Sequence, residues 1–224
     1  MRVALIDLET SGDQPPEDVP IEIAIIYMND RKFDSQYTTL IHPGDRPISP
    51  VASACHHLTT KIIKEQVHVS QLSRSAWDLL LGDCDYLVAH NAAFDRAFIP
   101  DLDIPWICTY RVAKHVLTDA PKFGLQTLRY WLHLDVSLNG CLYPHRALYD
   151  TKVLAELYLY LRKSFTDEEL AYMTSQPVLM ATCSFGKHRG TPWSDVPRDY
   201  LEWICKNEFD EDTAYTARYY LAQG

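Results

Sequence analysis

Asp7 and Glu9 stand one residue apart in the segment Ala4-Leu5-Ile6-Asp7-Leu8-Glu9-Thr10. The apolar run from Val3 to Ile6 reads as a strand covered on both faces. Side chains at i and i+2 of a strand share a face, so both carboxylates project together from one strand end. Two close carboxylates repel, and burying them is costly. A divalent cation resolves that conflict, because hard cations such as magnesium take carboxylate oxygen. The plainer alternative is a pair of solvated acids at a strand end.

Two further segments carry the same kinds of group. In His90-Asn91-Ala92-Ala93-Phe94-Asp95, the acid follows a short apolar strand, Tyr86 to Ala89, and sits at the start of a helix. In His145-Arg146-Ala147-Leu148-Tyr149-Asp150, five residues along a helix would turn through about 500°. His145 and Asp150 would then miss a common face. The better geometry puts Asp150 on the helix and His145 on the stretch leading into it, where a neutral imidazole can take a proton from water. Asp150 could then help hold a cation while His145 reaches a water from another side.

The elements that must position these groups are legible in outline. A strand over Val3–Ile6 is followed by a turn-rich stretch, a second strand over Ile21–Tyr27, a turn at Met28–Lys32 and a third strand over Phe33–Ile41. These predict an antiparallel meander. Helical patterns follow at Thr59–Glu65, at Ser70–Leu81 with Leu72, Ala76, Leu79 and Leu80 on its apolar side, and from Ala93. A short strand over Trp106–Thr109 leads into helices at Arg111–Leu117, Gly124–Leu134 and Arg146–Leu161. A meander followed by β-α units predicts an α/β fold with helices on both faces of a mixed sheet. Thr166 and Glu169 form a capping-box pattern after a boundary near Ser164.

The chain has 224 residues and is 47% hydrophobic, enough for one large domain or for one domain plus a small appendage. No apolar stretch is long enough to span a membrane. The N-terminus runs into the first strand without a signal-peptide pattern, which predicts a cytoplasmic protein. Cys55, Cys84, Cys108, Cys141, Cys183 and Cys205 are scattered and predicted to be reduced thiols. A formal charge of −9 argues against a protein that coats nucleic acid by bulk electrostatics, though not against an enzyme gripping a strand end.

Taken together, D-x-E-T, H-N-x-x-F-D and H-x-x-x-x-D resemble the DEDDh (DnaQ-like) 3′→5′ exonuclease family over roughly residues 1–162. The resemblance implies a ribonuclease H-like five-stranded mixed sheet with flanking helices over 1–164. It implies that Asp7, Glu9, Asp95 and Asp150 bind two Mg2+ ions, with Mn2+ able to substitute, and that His145 is the general base. The other branch of the family has tyrosine four residues before its last acid, and that position here is Arg146. Thr10, Ser11, His56, Asn91 and Phe94 are the implied substrate contacts, with Ala54–Thr59 lining the pocket of the terminal nucleotide.

Residues 165–224 are expected to form a small α+β module. Its segment Ser184-Phe185-Gly186-Lys187-His188-Arg189-Gly190-Thr191-Pro192 resembles the C-terminal module of exonuclease X-like proteins. Lys187 and Arg189 are candidate contacts to a DNA backbone, against the plainer reading of a solvated basic turn. The implied activity is release of nucleoside 5′-monophosphates from single-stranded or frayed DNA 3′ ends in repair, with no membrane and no obligate protein partner. The alternatives are an RNA-processing exoribonuclease, a non-catalytic polymerase accessory subunit, and a protein that binds a cation for stability alone.

Overall fold

The computed structural model describes residues 1–140 and 143–223, so Cys141 lies outside the described residues. A hairpin-connected meander, β1 (Arg2–Thr10), β2 (Pro20–Asn29) and β3 (Lys32–His42), forms the antiparallel half of one sheet. Asp30 and Arg31 take positive φ, 47° and 68°, in the tight turn between β2 and β3. That backbone follows the right-handed twist of the flanking strands. β5 (Tyr86–Ala89) then pairs parallel with β1, and β6 (Trp106–Cys108) pairs parallel with β5.

A two-residue strand, β4 (Val67–His68), adds to the end of β3. Among the described residues the sheet order is therefore β4-β3-β2-β1-β5-β6, six strands where the sequence predicted five. Val67 and His68 are too short a run for a period-2 pattern to reveal them.

Side chains alternate across β1 and feed two cores. Val3 and Leu5 pack with Val112 of α4 (Thr109–Val116), Leu128 of α5 (Leu125–Trp131), and Leu154 and Leu157 of α6 (Ala147–Leu161). Ala4, Ile6 and Leu8 pack on the other face with Trp77 and Leu81 of α2 (Arg74–Leu81) and Ala92 of α3 (Ala92–Phe98).

The helical expectations need three corrections. Thr59–Glu65 is not a helix. The N–H groups of Ile62 and Ile63 close one turn onto the Thr59 carbonyl. Ile63 then drops into a small core with Ile21 and Leu58. A run rich in β-branched Thr and Ile gives little to extend that turn. The helix in this region is α1 (Pro50–His56), capped by the Ser49 side chain with Pro50 at its start. Ser followed by Pro is a helix-start signal that sequence reading could have used.

The next helix begins at Arg74, not Ser70, because the Ser73 hydroxyl caps it at Ala76 N. Trp77 and Leu81, four residues apart, carry its buried face, while Leu79 is 85% exposed.

The predicted capping box at Thr166 and Glu169 opens α7 (Asp167–Ser175). Leu170 of this helix joins the core on the α6 side, and the Tyr158 hydroxyl donates to Asp167 at 2.5 Å. Beyond it, α8 (Arg198–Lys206) and α9 (Glu211–Gln223) enclose a third core of Cys183, Trp193, Val196, Leu201, Ile204 and Ala217. Asp212 ties this part to α4. It accepts from Lys114 Nζ at 2.7 Å, from an Arg111 guanidinium nitrogen at 3.3 Å and from Val178 N at 2.8 Å.

Candidate active site

The row Val3, Leu5, Asp7, Glu9 runs along the α6 face of β1, apolar at its start and acidic at its end. Alternation along the strand thus aims both carboxylates at the start of α6, where Asp150 sits. A register shift between Glu9 and Thr10 ends the regular pairing with β2 immediately after the second acid. Bulges recur where a strand must re-aim its residues beside a site.

Asp95 arrives by a different route. β5 pairs with β1 only as far as Leu5 and Val88, which leaves the Leu8 N–H without a strand partner on that side. Asp95, in the first turn of α3, accepts that N–H at 3.2 Å and is buried.

Asp7, Glu9 and Asp150 each place a carboxylate oxygen within 4.8 Å of the others. Asp150 is gripped from two sides, by Gln126 Nε2 at 2.6 Å and by the backbone N–H of His145 at 2.7 Å. His145 takes φ 61°, so the chain folds back over the start of α6. Its exposed side chain and those of Asp7, His90, Gln126 and Asp150 line a cleft of about 360 Å³. The predicted placement of Asp150 on the helix and His145 before it is the geometry found.

The electrostatics of this cluster are adverse. Burial pushes the Asp7 carboxyl well above the usual range, with Asp95, Glu9 and Asp150 adding to the push. Burial likewise takes Glu9 up to about 9, helped by Asp150, Glu22 and Asp95 and opposed by Arg146. Asp95 is raised to about 7 by burial, against the backbone N–H groups it accepts. Burial also raises Asp150, opposed by the His145 N–H and Gln126. Acids crowded in this way favour either protons or a cation. An all-carboxylate donor set suits a hard divalent cation, and these residues fit one.

Sequence reasoning missed the support around the acids. Glu22, opposite Glu9 in the β1–β2 register, is buried. It receives Arg146 in a two-pronged ion pair, Nε to Oε2 at 2.9 Å and a terminal nitrogen to Oε1 at 2.7 Å. It also accepts from the Ala147 N–H at 3.1 Å. That pair fastens the segment bearing His145 to β2 and sets one positive charge beside Glu9. An acid in a strand and an arginine 124 positions later show no pattern in sequence.

His90 was likewise passed over. Its Nε2 lies 2.8 Å from the Phe123 carbonyl and its Nδ1 3.0 Å from the Thr109 hydroxyl. Burial depresses it to about 4, against the pull of that carbonyl.

The sequence-predicted substrate contacts divide. Thr10, His56 and Phe94 line a second cleft of about 390 Å³ with Glu9, Val51 and Cys55. Inside it, His56 offers a wall and no hydrogen bond. Its Nδ1 accepts from Leu58 N at 2.9 Å, so Nε2 carries the proton toward the Thr10 carbonyl at 3.2 Å. Ser11 is fully buried, its N–H given to the Val19 carbonyl and its carbonyl taken by Ser49 N. The implied substrate contact at Ser11 therefore differs from what is found: the chain turns inward there to anchor α1. Asn91 is exposed in left-handed backbone before α3 and lines a different cleft, with Arg96, Arg111 and Asp212. Lys187 and Arg189 are exposed on the C-terminal part and line neither acidic cleft. Cys55, Cys84, Cys108, Cys183 and Cys205 are free. No helix among the described residues is long and apolar enough to cross a membrane.

Comparison with known proteins places the chain among exonucleases. The exonuclease family profile RNase_T matches residues 4–158. Exodeoxyribonuclease 10 of Escherichia coli (strain K12) is 34% identical over 224 residues, covering 97% of each chain. DNA polymerase III PolC-type of Thermotoga petrophila is 29% identical over 164 residues, which is 69% of this chain and 11% of the polymerase. Among solved structures, exonuclease X in complex with 5′ overhanging duplex DNA superposes with a TM-score of 0.67 at 32% identity. That match covers 77% of this chain and 99% of the other.

Proposed function

This chain belongs to the exonuclease family, in its DnaQ-like form, and on that premise we propose that it hydrolyses DNA from the 3′ end, releasing nucleoside 5′-monophosphates, in repair. The observation that carries the reading is the convergence of Asp7, Glu9 and Asp150 carboxylate oxygens within 4.8 Å, beside the cleft that His145 lines.

In this reading Asp7, Glu9, Asp95 and Asp150 hold two divalent ions, Mg2+ by preference. Bound there, the ions supply charge to stabilise the attacking and leaving oxygens of an in-line displacement. The chain does the rest. The cleft walled by Thr10, Val51, Cys55, His56 and Phe94 takes the terminal nucleotide, its apolar wall excluding water from one side of the scissile phosphate. The Asp150 grip on the His145 backbone fixes where the imidazole is carried. The imidazole takes the proton of the attacking water. Glu22 and Arg146 hold the same segment from behind. We divide the chain into an exonuclease domain over 1–164 and a module over 165–224 whose own core begins beyond α7. Its setting is the cytoplasm, without an obligate protein partner.

Digestion of 3′- and 5′-labelled DNA with magnesium, manganese and chelator tests this directly. Metal-dependent shortening from the 3′ end, with mononucleotide product, is expected. Shortening from the 5′ end, or no shortening with either metal, contradicts it. A matched RNA strand in the same assay decides between deoxyribonucleotide and ribonucleotide substrates. Copurification with a polymerase would favour the accessory-subunit alternative.

A further inference from the structure

Away from the acids, the C-terminal part carries a feature the catalytic reading does not use. The chain from Thr182 to Pro192 closes as a tight hairpin. Cys183 N donates to the Thr191 carbonyl at 2.8 Å, and Gly190 N to the Cys183 carbonyl at 2.7 Å. Gly186 has φ +60°, and a Cβ there would run into the Tyr200 hydroxyl. Glycine's tolerance of positive φ and its lack of a Cβ therefore suit the hairpin tip to its seat against Tyr200.

Seated there, Lys187 Nζ lies 5.2 Å from the Tyr200 ring centroid, and the His188 ring meets the Tyr200 ring edge-on at 4.6 Å. Tyr200 in turn stacks on Trp203 at 5.2 Å and 26°. Phe209 packs edge-on against Trp203 at 5.4 Å, bracing it from inside. Trp203 is nevertheless 47% exposed, which leaves part of an already stacked ring open to a further ring.

Charge argues for the occupant. Lys187 and Arg189 are exposed on the hairpin, and Lys206 lies one turn beyond Trp203 on α8. They are three of the 5 basic residues over 166–224, a segment with 10 acidic ones. Of the acids on α8, Glu202 is paired with Arg198 at 3.3 Å and Asp199 accepts from the Tyr200 N–H. The stem of the hairpin also leads toward the catalytic cleft. Ala181 and Thr182 share a groove with Phe123, the neighbour of Gly124 in the cleft of Asp7 and His145.

We propose that this aromatic and basic face is a second strand-binding site, where an unpaired base of the nucleic acid stacks on Trp203 and flanking phosphates pair with Lys187 and Arg189. Stacking on an exposed ring beside cations is the recurring solution for gripping single strands without reading sequence. The site rests on the nuclease reading for the identity of its ligand. It would hold substrate at a distance from the scissile bond, raising affinity for long strands over short ones.

The test uses the full chain. Binding of a labelled single-stranded oligodeoxynucleotide is followed by anisotropy in chelator, and KM is measured with metal for a long strand and for a dinucleotide. Trp203→Leu should weaken binding of the long strand by roughly 5- to 100-fold, the range for one lost stacking contact. It should raise KM for the long strand by far more than for the dinucleotide. Lys187→Ala with Arg189→Ala should lower the salt slope of binding by about 1.4, as expected for two phosphate contacts on a single strand. All three positions are exposed, so unchanged melting temperatures check that folding is intact.

Wild-type affinity and salt slope in both variants would overturn the proposal. So would equal losses on the long strand and the dinucleotide. A wild type that binds the strand through Trp203 yet hydrolyses neither substrate would leave the site standing and sink the nuclease reading instead.

Discussion

Asp212 and Glu9 are both carboxylates drawn in from water, and their surroundings are opposites. Burial pushes the Asp212 carboxyl up, but the Lys114 ammonium, the Val178 N–H and the Arg111 guanidinium outweigh it and bring it below its usual value. Glu9 has Asp150, Glu22 and Asp95 near it, with Arg146 opposing, and rises to about 9. Where an acid joins two parts of the fold, this protein supplies cations of its own. At the end of β1 the negative charge is left in excess, with Asp7 and Asp95 raised as well. A fold tolerates such an excess where activity requires it and stability is spent for function. The contrast separates an acid offset by the chain's own cations from acids that the chain leaves without enough positive charge.

The largest effect should come from Asp7→Asn, which is expected to nearly abolish turnover. In chelator the same variant should melt no lower than wild type, since a raised pKa means the ionised Asp7 destabilises the fold at neutral pH. A large drop in melting temperature would place Asp7 with Asp212 as a structural acid. His145→Ala comes next, with kcat reduced by roughly 10²- to 10⁴-fold, the usual contribution of a positioned base. A full rate in single-turnover measurements would remove His145 from the mechanism.

A smaller effect is expected at His90. Its folded pKa, about 4, lies below the unfolded value of 6.5, so the stability it contributes is complete above pH 6.5 and lost as pH falls toward 4. Denaturant titrations in chelator should show the advantage of wild type over His90→Gln shrinking by at most about 3 kcal/mol across that range. A pH-independent difference would contradict a half-buried imidazole held neutral. The smallest effect is on the structural side. Asp212→Asn should lower stability by about 1–3 kcal/mol, by weakening the partners of Lys114, Arg111 and Val178. Metal-dependent turnover should survive, and its loss would erase the distinction drawn between the two acids.

The two regions also differed in how far they could be read in advance. Asp7 and Glu9 announce themselves because strand alternation is local and i, i+2 spacing fixes a common face. Asp95 and Asp150 follow from short motifs at helix starts. Their supports do not. Glu22 reads as an ordinary strand acid until Arg146 arrives from 124 positions away, and Asp212 meets Lys114 from 98 positions away. Pairings of that separation leave no periodic trace. The misplaced helix at Thr59–Glu65 has a related cause, since its spacing suits a helix but Ile63 is claimed by Ile21 on a distant strand. Ser11 looked available because it follows the acids, and only the closing bonds to Val19 and Ser49 reveal that it turns inward.

The central claim is that the carboxylates at the end of β1 and the start of α6 are a divalent-cation site. It is tested most directly by titrating manganese into the metal-stripped chain and following heat release. Wild type and Asp212→Asn should bind with matching affinity, and Asp7→Asn should bind at least about tenfold more weakly. Unaltered manganese binding by Asp7→Asn would contradict the account.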